Sequence, residues 1–102
     1  LFGGVCVNLL RHPGWGRAQV TYGEDSAHVS AMGAATVRGV SEHAIACFKH
    51  FALNSIESAR FRVDVRVSDR VLHEVYLPHF RACVDAGAGL RVGQHRPGLS
   101  VL

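Results

Sequence analysis

Residues 43–54 read His43-Ala44-Ile45-Ala46-Cys47-Phe48-Lys49-His50-Phe51-Ala52-Leu53-Asn54, and the first six of them decide the fold class. The apolar run that ends at Phe48 is too short to read as a helix and has no polar face, which suits a strand buried on both sides. Lys49 and His50 then sit at its C-terminal end. Upstream, Val5 to Leu10 is a second apolar, β-branched stretch that runs into Arg11-His12-Pro13-Gly14, a strand followed by an irregular loop. Between the two, from about Ser26 to Val40, the residues Val29, Met32, Ala35 or Thr36, Val37 and Val40 recur at spacings of three and four, with Gly39 near the end. This predicts an amphipathic helix. Downstream, Phe51 to Val67 is polar and arginine-rich, with Val63, Val65 and Val67 alternating with Asp64 and Arg66 like a short edge strand within a long loop. Ser68-Asp69 then forms an N-cap, and Leu72, Val75, Tyr76, His79, Phe80 and Cys83 lie on one stripe of a helix that ends near Gly87 and is bent by Pro78. Strand, helix, strand, helix is the pattern of parallel βα units, so the expected class is α/β. Periodicity does not separate a barrel from an open sheet.

The chain has 102 residues, enough for one small domain or a piece of a larger one. Its 48% hydrophobic and 19% charged residues describe a globular chain, and no apolar run approaches the roughly 20 residues that span a bilayer, so no membrane partner is expected. The first residue is Leu1 and the only methionine is Met32, which raises the expectation of a truncated sequence. The formal charge is +3, carried by ten dispersed arginines and one lysine. Only Arg60, Arg62 and Arg66 cluster, and no aromatic residues interleave with them, so nucleic acid is not an expected partner. Cys6, Cys47 and Cys83 are odd in number and far apart, which fits buried apolar residues better than disulfides or a metal site. His73, Glu74 and His79 superficially resemble a zinc-binding helix, but the histidines are six apart with Pro78 between them, whereas HExxH sets them four apart on one face. No metal and no cofactor is expected.

Three further stretches carry specific information: His12-Pro13-Gly14-Trp15-Gly16-Arg17 followed by Tyr22-Gly23-Glu24-Asp25; Phe48-Lys49-His50-Phe51-Ala52-Leu53-Asn54; and Arg70 through Phe80, which contains Tyr76-Leu77-Pro78-His79-Phe80. In this order they resemble the N-terminal barrel of glycoside hydrolase family 3, the β-glucosidase family, over roughly residues 5–88. The resemblance implies a partial (β/α)8 barrel of two to three consecutive βα units, where a full barrel needs about 250 residues and places its active site at the C-terminal ends of the strands. Taken alone, Arg17 reads as a surface or salt-bridged arginine beside Glu24 or Asp25, Lys49 as a solvated strand end, His50 as a hydrogen-bonded structural histidine and Trp15 as a packing residue. In the family, the matching arginine and Lys-His pair hold hydroxyl groups of the sugar next to the scissile bond. The resemblance therefore implies Arg17, Lys49 and His50 as substrate-binding residues, whose fork of donors, ammonium and imidazole suit vicinal hydroxyls. It leaves the role of Asn54 open.

A retaining glycosidase needs two carboxylates about 5 to 5.5 Å apart. The resemblance implies that neither lies in this chain, because the family's aspartate nucleophile is on a later strand and the acid/base of the β-glucosidase type belongs to a downstream domain. Asp64, Asp69 and Asp85 match a loop, a helix start and a helix end. The β-N-acetylglucosaminidase branch carries a Lys-His-Phe-Pro-Gly-His-Gly loop, for which Phe51-Ala52-Leu53-Asn54-Ser55 is substituted here, favouring the glucosidase type. After Ala86-Gly87-Ala88 the family continues into a Ser-x-Tyr-Asn-x-Val-Asn-Gly-like loop, whereas this chain reads Gly89-Leu90-Arg91-Val92-Gly93-Gln94-His95-Arg96-Pro97-Gly98. The expected division is thus a family segment over 1–88 and a divergent or out-of-frame tail over 89–102. Two functional readings follow: the sugar-binding part of a hydrolase of terminal β-linked sugars, with the remainder of the barrel as its partner, or a non-catalytic fragment that binds sugar weakly at most.

Overall fold

The computed structural model describes residues 1–93 and 99–101, with side chains described for 1–89. It is an α/β structure. Strands β1 (Phe2–Cys6), β2 (Ala46–Phe51) and β4 (Leu90–Gly93) form a parallel sheet in the order β1-β2-β4, and β3 (Val65–Val67) pairs in parallel with β5 (Leu99–Val101). Helix α1 (Ser26–Ser41) crosses from β1 to β2. The second crossover contains α2 (Asp69–Val71), a π turn (Leu72–Tyr76) and α3 (Pro78–Asp85). Among the described residues no helix is long and apolar enough to cross a membrane.

The first strand lies earlier than the expected Val5–Leu10. The ladder covers Phe2–Cys6, where Phe2 opposes Ala46 and Cys6 opposes Lys49. Beyond Cys6 the chain stays extended enough to keep its alternation. Val5, Val7 and Leu9 are buried in the cluster under the helices, while Cys6 and Asn8, also buried, take the opposite face. The second strand lies later than expected, because Lys49 and His50 are inside β2 rather than after it.

Helix α1 begins where Asp25 accepts a hydrogen bond from the His28 amide at 2.6 Å, an N-cap that satisfies one of the first-turn donors. Its inward stripe is Val29, Gly33 and Val37, four residues apart; Val29, Val37 and the partly buried Val40 belong to the expected stripe, whereas Met32 is exposed. Gly33 is there because of a close approach. A Cβ at that position would lie 2.7 Å from Val7 Cγ1 and 3.0 Å from Cys83 Sγ, so α1 rests directly on β1 and α3. Gly33→Ala gains about 1 kcal/mol of helix propensity but forces apart a fully buried valine and cysteine, at about 1–3 kcal/mol. The expected net result is a loss of about 1–2 kcal/mol in urea unfolding; an unchanged or raised midpoint would show that Val7 yields.

Ser68 accepts from the Val71 amide at 3.3 Å and starts the second crossover. The helix is then interrupted as expected at Pro78. The Pro78 ring excludes the carbonyl four residues earlier, and the ladder widens ahead of it, with Leu77 N–H donating to Leu72 C=O at 3.0 Å. Of the expected stripe, His79, Phe80 and Cys83 are buried and Leu72, Val75 and Tyr76 half-buried. Phe80 is the pivot of this packing, its ring centroid 5.9 Å from that of Phe48 and 5.1 Å from that of Phe51. The three cysteines are free and buried, as the spacing implied. Burial pushes the Cys83 thiol up to about 11, so it packs as a neutral group.

Strand β4 falls inside the segment 89–102 that the sequence sets apart as a tail; residues 94–98 and 102 of that segment lie outside the described residues.

Candidate functional site

The C-terminal ends of β1 and β2 meet at one buried amide. Asn8 is 3% exposed, and its side chain clasps the backbone of His50: Oδ1 accepts from the His50 amide at 2.8 Å and Nδ2 donates to the His50 carbonyl at 3.1 Å. This two-point bond carries the contact of the β1 segment with β2 beyond their last ladder pair, Cys6 opposite Lys49, while on the other edge of β2 the pairing with β4 slips between Phe48 and Phe51. The slip matters because it restarts the alternation of the strand. Phe51, not His50, returns to the helix side, and the His50 imidazole stays on the face of Cys6 and Asn8.

The same amide orients the imidazole. Since Asn8 Nδ2 donates to the backbone, Oδ1 is its acceptor end, and His50 Nδ1, 3.2 Å away, carries the proton and donates to it. Nε2 is thereby the lone-pair end of the ring. Burial, followed by the charges of Arg17 and Lys49 and, more weakly, Arg60, lowers the His50 pKa from 6.5 to about 4, with Glu57 acting in the opposite direction. The ring is therefore a neutral acceptor at ordinary pH. Cys6 Sγ lies 4.0 Å from His50 Nδ1, and its thiol is pushed up by burial against the opposing pull of the Asn8 backbone, Arg17 and Lys49.

Each residue singled out in the sequence has a definite place. Lys49 is half-buried in β2 opposite Cys6, and its carbonyl accepts from the Val7 amide at 2.9 Å. Arg17 is half-buried at the start of a 3-10 turn, Ala18–Val20, and its charge reaches both His50 and Cys6. Asp25 is occupied as the cap of α1. Trp15 is buried, as a packing residue should be, although its Nε1 has no hydrogen-bond partner among the described residues. Thr21 closes the loop beneath Arg17 by donating its hydroxyl to the Asn8 carbonyl.

Two parts of the site were not read from the sequence. Asn8 could have been noticed as the lone polar residue in the apolar run Val5-Cys6-Val7-Asn8-Leu9-Leu10. Glu57 and Arg60, an i,i+3 pair, were hidden in the polar stretch after β2. There Leu53 adopts a left-handed conformation with φ 64° and turns Asn54 into the interior, fully buried, where its Nδ2 donates to Glu57 Oε1 at 3.1 Å. Arg60 Nη1 donates to the other oxygen at 3.1 Å. Beside this pair a cleft of about 370 Å³ is lined by His12, Trp15, Glu57 and the 55–58 turn. Among the described residues no group of three metal-ligating side chains converges, and His73 and His79 are separated, the former near Asp69 and the latter buried against Ser26.

His50 is thus a neutral imidazole within reach of the charges of three cations and one carboxylate, groups whose donors and acceptors can hydrogen-bond polar ligands. Comparison with known proteins identifies the family. Residues 5–93 match the model of the glycosyl hydrolase family 3 N-terminal domain. The β-glucosidase BoGH3A of Bacteroides ovatus is 42% identical over 85 residues, which are 82% of this chain and 11% of that protein. The probable exo-1,4-β-xylosidase bxlB of Aspergillus clavatus is 40% identical over 90 residues, 76% of this chain and 12% of that protein. Among solved structures, DesR, a β-glucosidase from Streptomyces venezuelae in complex with D-glucose, superimposes with a TM-score of 0.83 at 31% identity, covering 93% of this chain and 13% of its own. The chain therefore spans only about an eighth of the length of the proteins it resembles.

Proposed function

Because this chain belongs to glycosyl hydrolase family 3, most of it matching the family's N-terminal domain, we propose that it is the sugar-holding part of a β-glucosidase-like hydrolase of terminal β-linked sugars. The observation that supports this reading is His50, held by Asn8 at the ends of β1 and β2 and kept neutral by burial and by the charges of Arg17 and Lys49. Lys49 and Arg17 supply donors to sugar hydroxyls, and His50 Nε2 accepts from one. Arg60 adds a further cation whose charge is felt at His50.

The proposal includes a partial (β/α)8 barrel, to which residues 1–88 contribute consecutive βα units, the family match itself running on to residue 93. Support comes from the parallel order β1-β2-β4, whose outer strands are open edges among the described residues, and from helices packed against the face that Val5, Val7, Leu9 and Phe48 cover. The opposite face at the strand ends carries Cys6, Asn8 and His50, as the inside of a barrel mouth would. Catalysis by the isolated chain is not part of the proposal. Asp25 caps a helix, Asp64, Glu74 and Asp85 pair with Arg66, Arg70 and Arg81, and Asp69 lies by His73. Among the described residues Glu57 is the carboxylate whose charge is named at His50, and a retaining mechanism requires two.

The test is hydrolysis of an aryl β-glucoside, together with D-glucose titration followed by NMR, for the chain and for a Lys49→Ala/His50→Ala variant. The expected outcome is no turnover from either and weak glucose binding by the wild type that the variant loses. Turnover abolished in the double variant would reveal a carboxylate pair within the chain and overturn the division of labour. A folded wild type that fails to bind glucose would leave the non-catalytic fragment, which the open sheet edges favour.

A further inference from the structure

We infer that Asn8 is a positioning residue that sets specificity through His50: by fixing the tautomer of the imidazole it obliges the sugar to present a hydroxyl donor to Nε2. The inference rests on the sugar-holding reading above and adds what that site demands of the group placed there. Its starting point is that the Asn8 amide has only one orientation. Turned over, it would set Nδ2 against the His50 amide N–H, which lies 2.8 Å from Oδ1, and Oδ1 against the His50 carbonyl, which lies 3.1 Å from Nδ2. The backbone of His50 therefore decides that the atom 3.2 Å from its own Nδ1 is an oxygen.

Cys6 supplies the one rival arrangement. Its Sγ lies 4.0 Å from His50 Nδ1 and 3.9 Å from Asn8 Oδ1, within reach of either as a donor. Donation to Nδ1 needs the ring proton on Nε2 and leaves the lone pairs of Nδ1 and Oδ1 facing each other at 3.2 Å. A thiol is a weak donor and does not offset that repulsion, whereas with the proton on Nδ1 both the N–H and the S–H point to the amide oxygen. Water does not arbitrate, because Cys6, Asn8 and His50 are all buried. At the far end of the ring the situation is reversed. Nε2 bonds to no described residue, and the enclosed side-chain nitrogen left unpartnered among them is that of Trp15, so Nε2 opens to solvent. A hydroxyl satisfies this acceptor. A fluorine, a methoxy oxygen or a carboxylate has no proton to offer and sets lone pair against lone pair. A site built around a hydrogen bond rejects an analogue that lacks it far more strongly than an apolar pocket rejects a change of size.

The nitrogen-15 resonances of the His50 imidazole test this in the 102-residue chain, since protonated and bare ring nitrogens have well-separated shifts. The expected result is a protonated Nδ1 and a bare Nε2 in the wild type and in Cys6→Ala, and protonation at Nε2 in part of the Asn8→Ala molecules. A wild type protonated at Nε2, a Cys6→Ala chain that switches to that form, or a folded Asn8→Ala chain that keeps Nε2 entirely bare overturns the inference. Should Asn8→Ala not fold, the wild type and Cys6→Ala decide. When D-glucose is added, the Nε2 resonance should move toward the protonated shift while Nδ1 stays. Of the monodeoxyfluoro analogues of glucose, the one altered at the facing hydroxyl should bind about tenfold more weakly than the rest, a difference that disappears in His50→Ala. Equal binding of all the analogues by the wild type also overturns the inference. If glucose does not bind at all, the sugar-holding reading fails on its own account, and the role of Asn8 stands or falls with the tautomer.

Discussion

Asn8→Ala is expected to lower the unfolding free energy of the chain by about 3–5 kcal/mol, more than any other single polar substitution near the site. The side chain makes two hydrogen bonds to the backbone of His50 and accepts a third from its imidazole. Its removal strands a buried N–H and a buried C=O where β2 has already lost its regular pairing, and each unsatisfied group costs about 1–3 kcal/mol. Water is poorly placed to compensate, since Asn8 is 3% exposed and His50 9%. Urea unfolding of the variant measures the loss. A change under 1 kcal/mol would mean that the strand end is held by something other than Asn8. Asn8→Asp separates the two bonds: it retains the acceptor, loses the donor and places a carboxylate beside His50, so it should raise the His50 pKa while still destabilising the chain.

Acid should unfold the chain earlier than its carboxylates alone would. His50 and His79 both have pKa values lowered from 6.5 to about 4, His50 by burial and neighbouring cations, His79 by burial alone. For a base held neutral in the native state, the unfolded chain binds the extra proton, so stability is complete above pH 6.5, falls as pH drops from 6.5 toward 4, and levels off below. Each histidine contributes a slope of at most about 1.4 kcal/mol per pH unit within that window. Between pH 6.5 and 5 the effect belongs to the histidines, because most carboxylates titrate lower. Urea midpoints should therefore decline steadily over this interval, and His79→Gln should roughly halve the decline. His79 is the cleaner probe, being 1% exposed with Ser26 Oγ 3.3 Å from its Nδ1. A stability that is flat from pH 6.5 to 5 would refute the burial of both rings as neutral groups.

The local grammar of the chain was legible where chemistry acts over a few residues. Ser68 caps the helix its position implied, Pro78 interrupts its helix, and the stripe of His79, Phe80 and Cys83 is buried, whereas Asp25, read only as a partner for Arg17, is the cap of α1. Strand limits were less legible. The apolar run Val5–Leu10 contains residues buried on both faces, and burial alone does not say which of them are paired; the ladder chose Phe2–Cys6 through the register with Ala46–Lys49. Gly33 was passed over because a residue without a side chain gives no periodic signal, although it marks the closest contact of α1.

For the site, the sequence by itself determined the residue types and their order: an arginine after the first strand, and a Lys-His pair at the end of the second, within motifs that placed the chain in its family. What only the tertiary structure decided is their state and their support. The slip between Phe48 and Phe51 puts His50 on the face of Asn8, and burial, together with three cations separated by up to 43 residues in sequence, makes it neutral. The buried Asn54 meets the half-buried pair Glu57 and Arg60 where Leu53 turns the chain inward. Neutrality, tautomer and the anchoring of an arginine depend on burial and on charges brought together through space, and those quantities do not exist until the chain has folded.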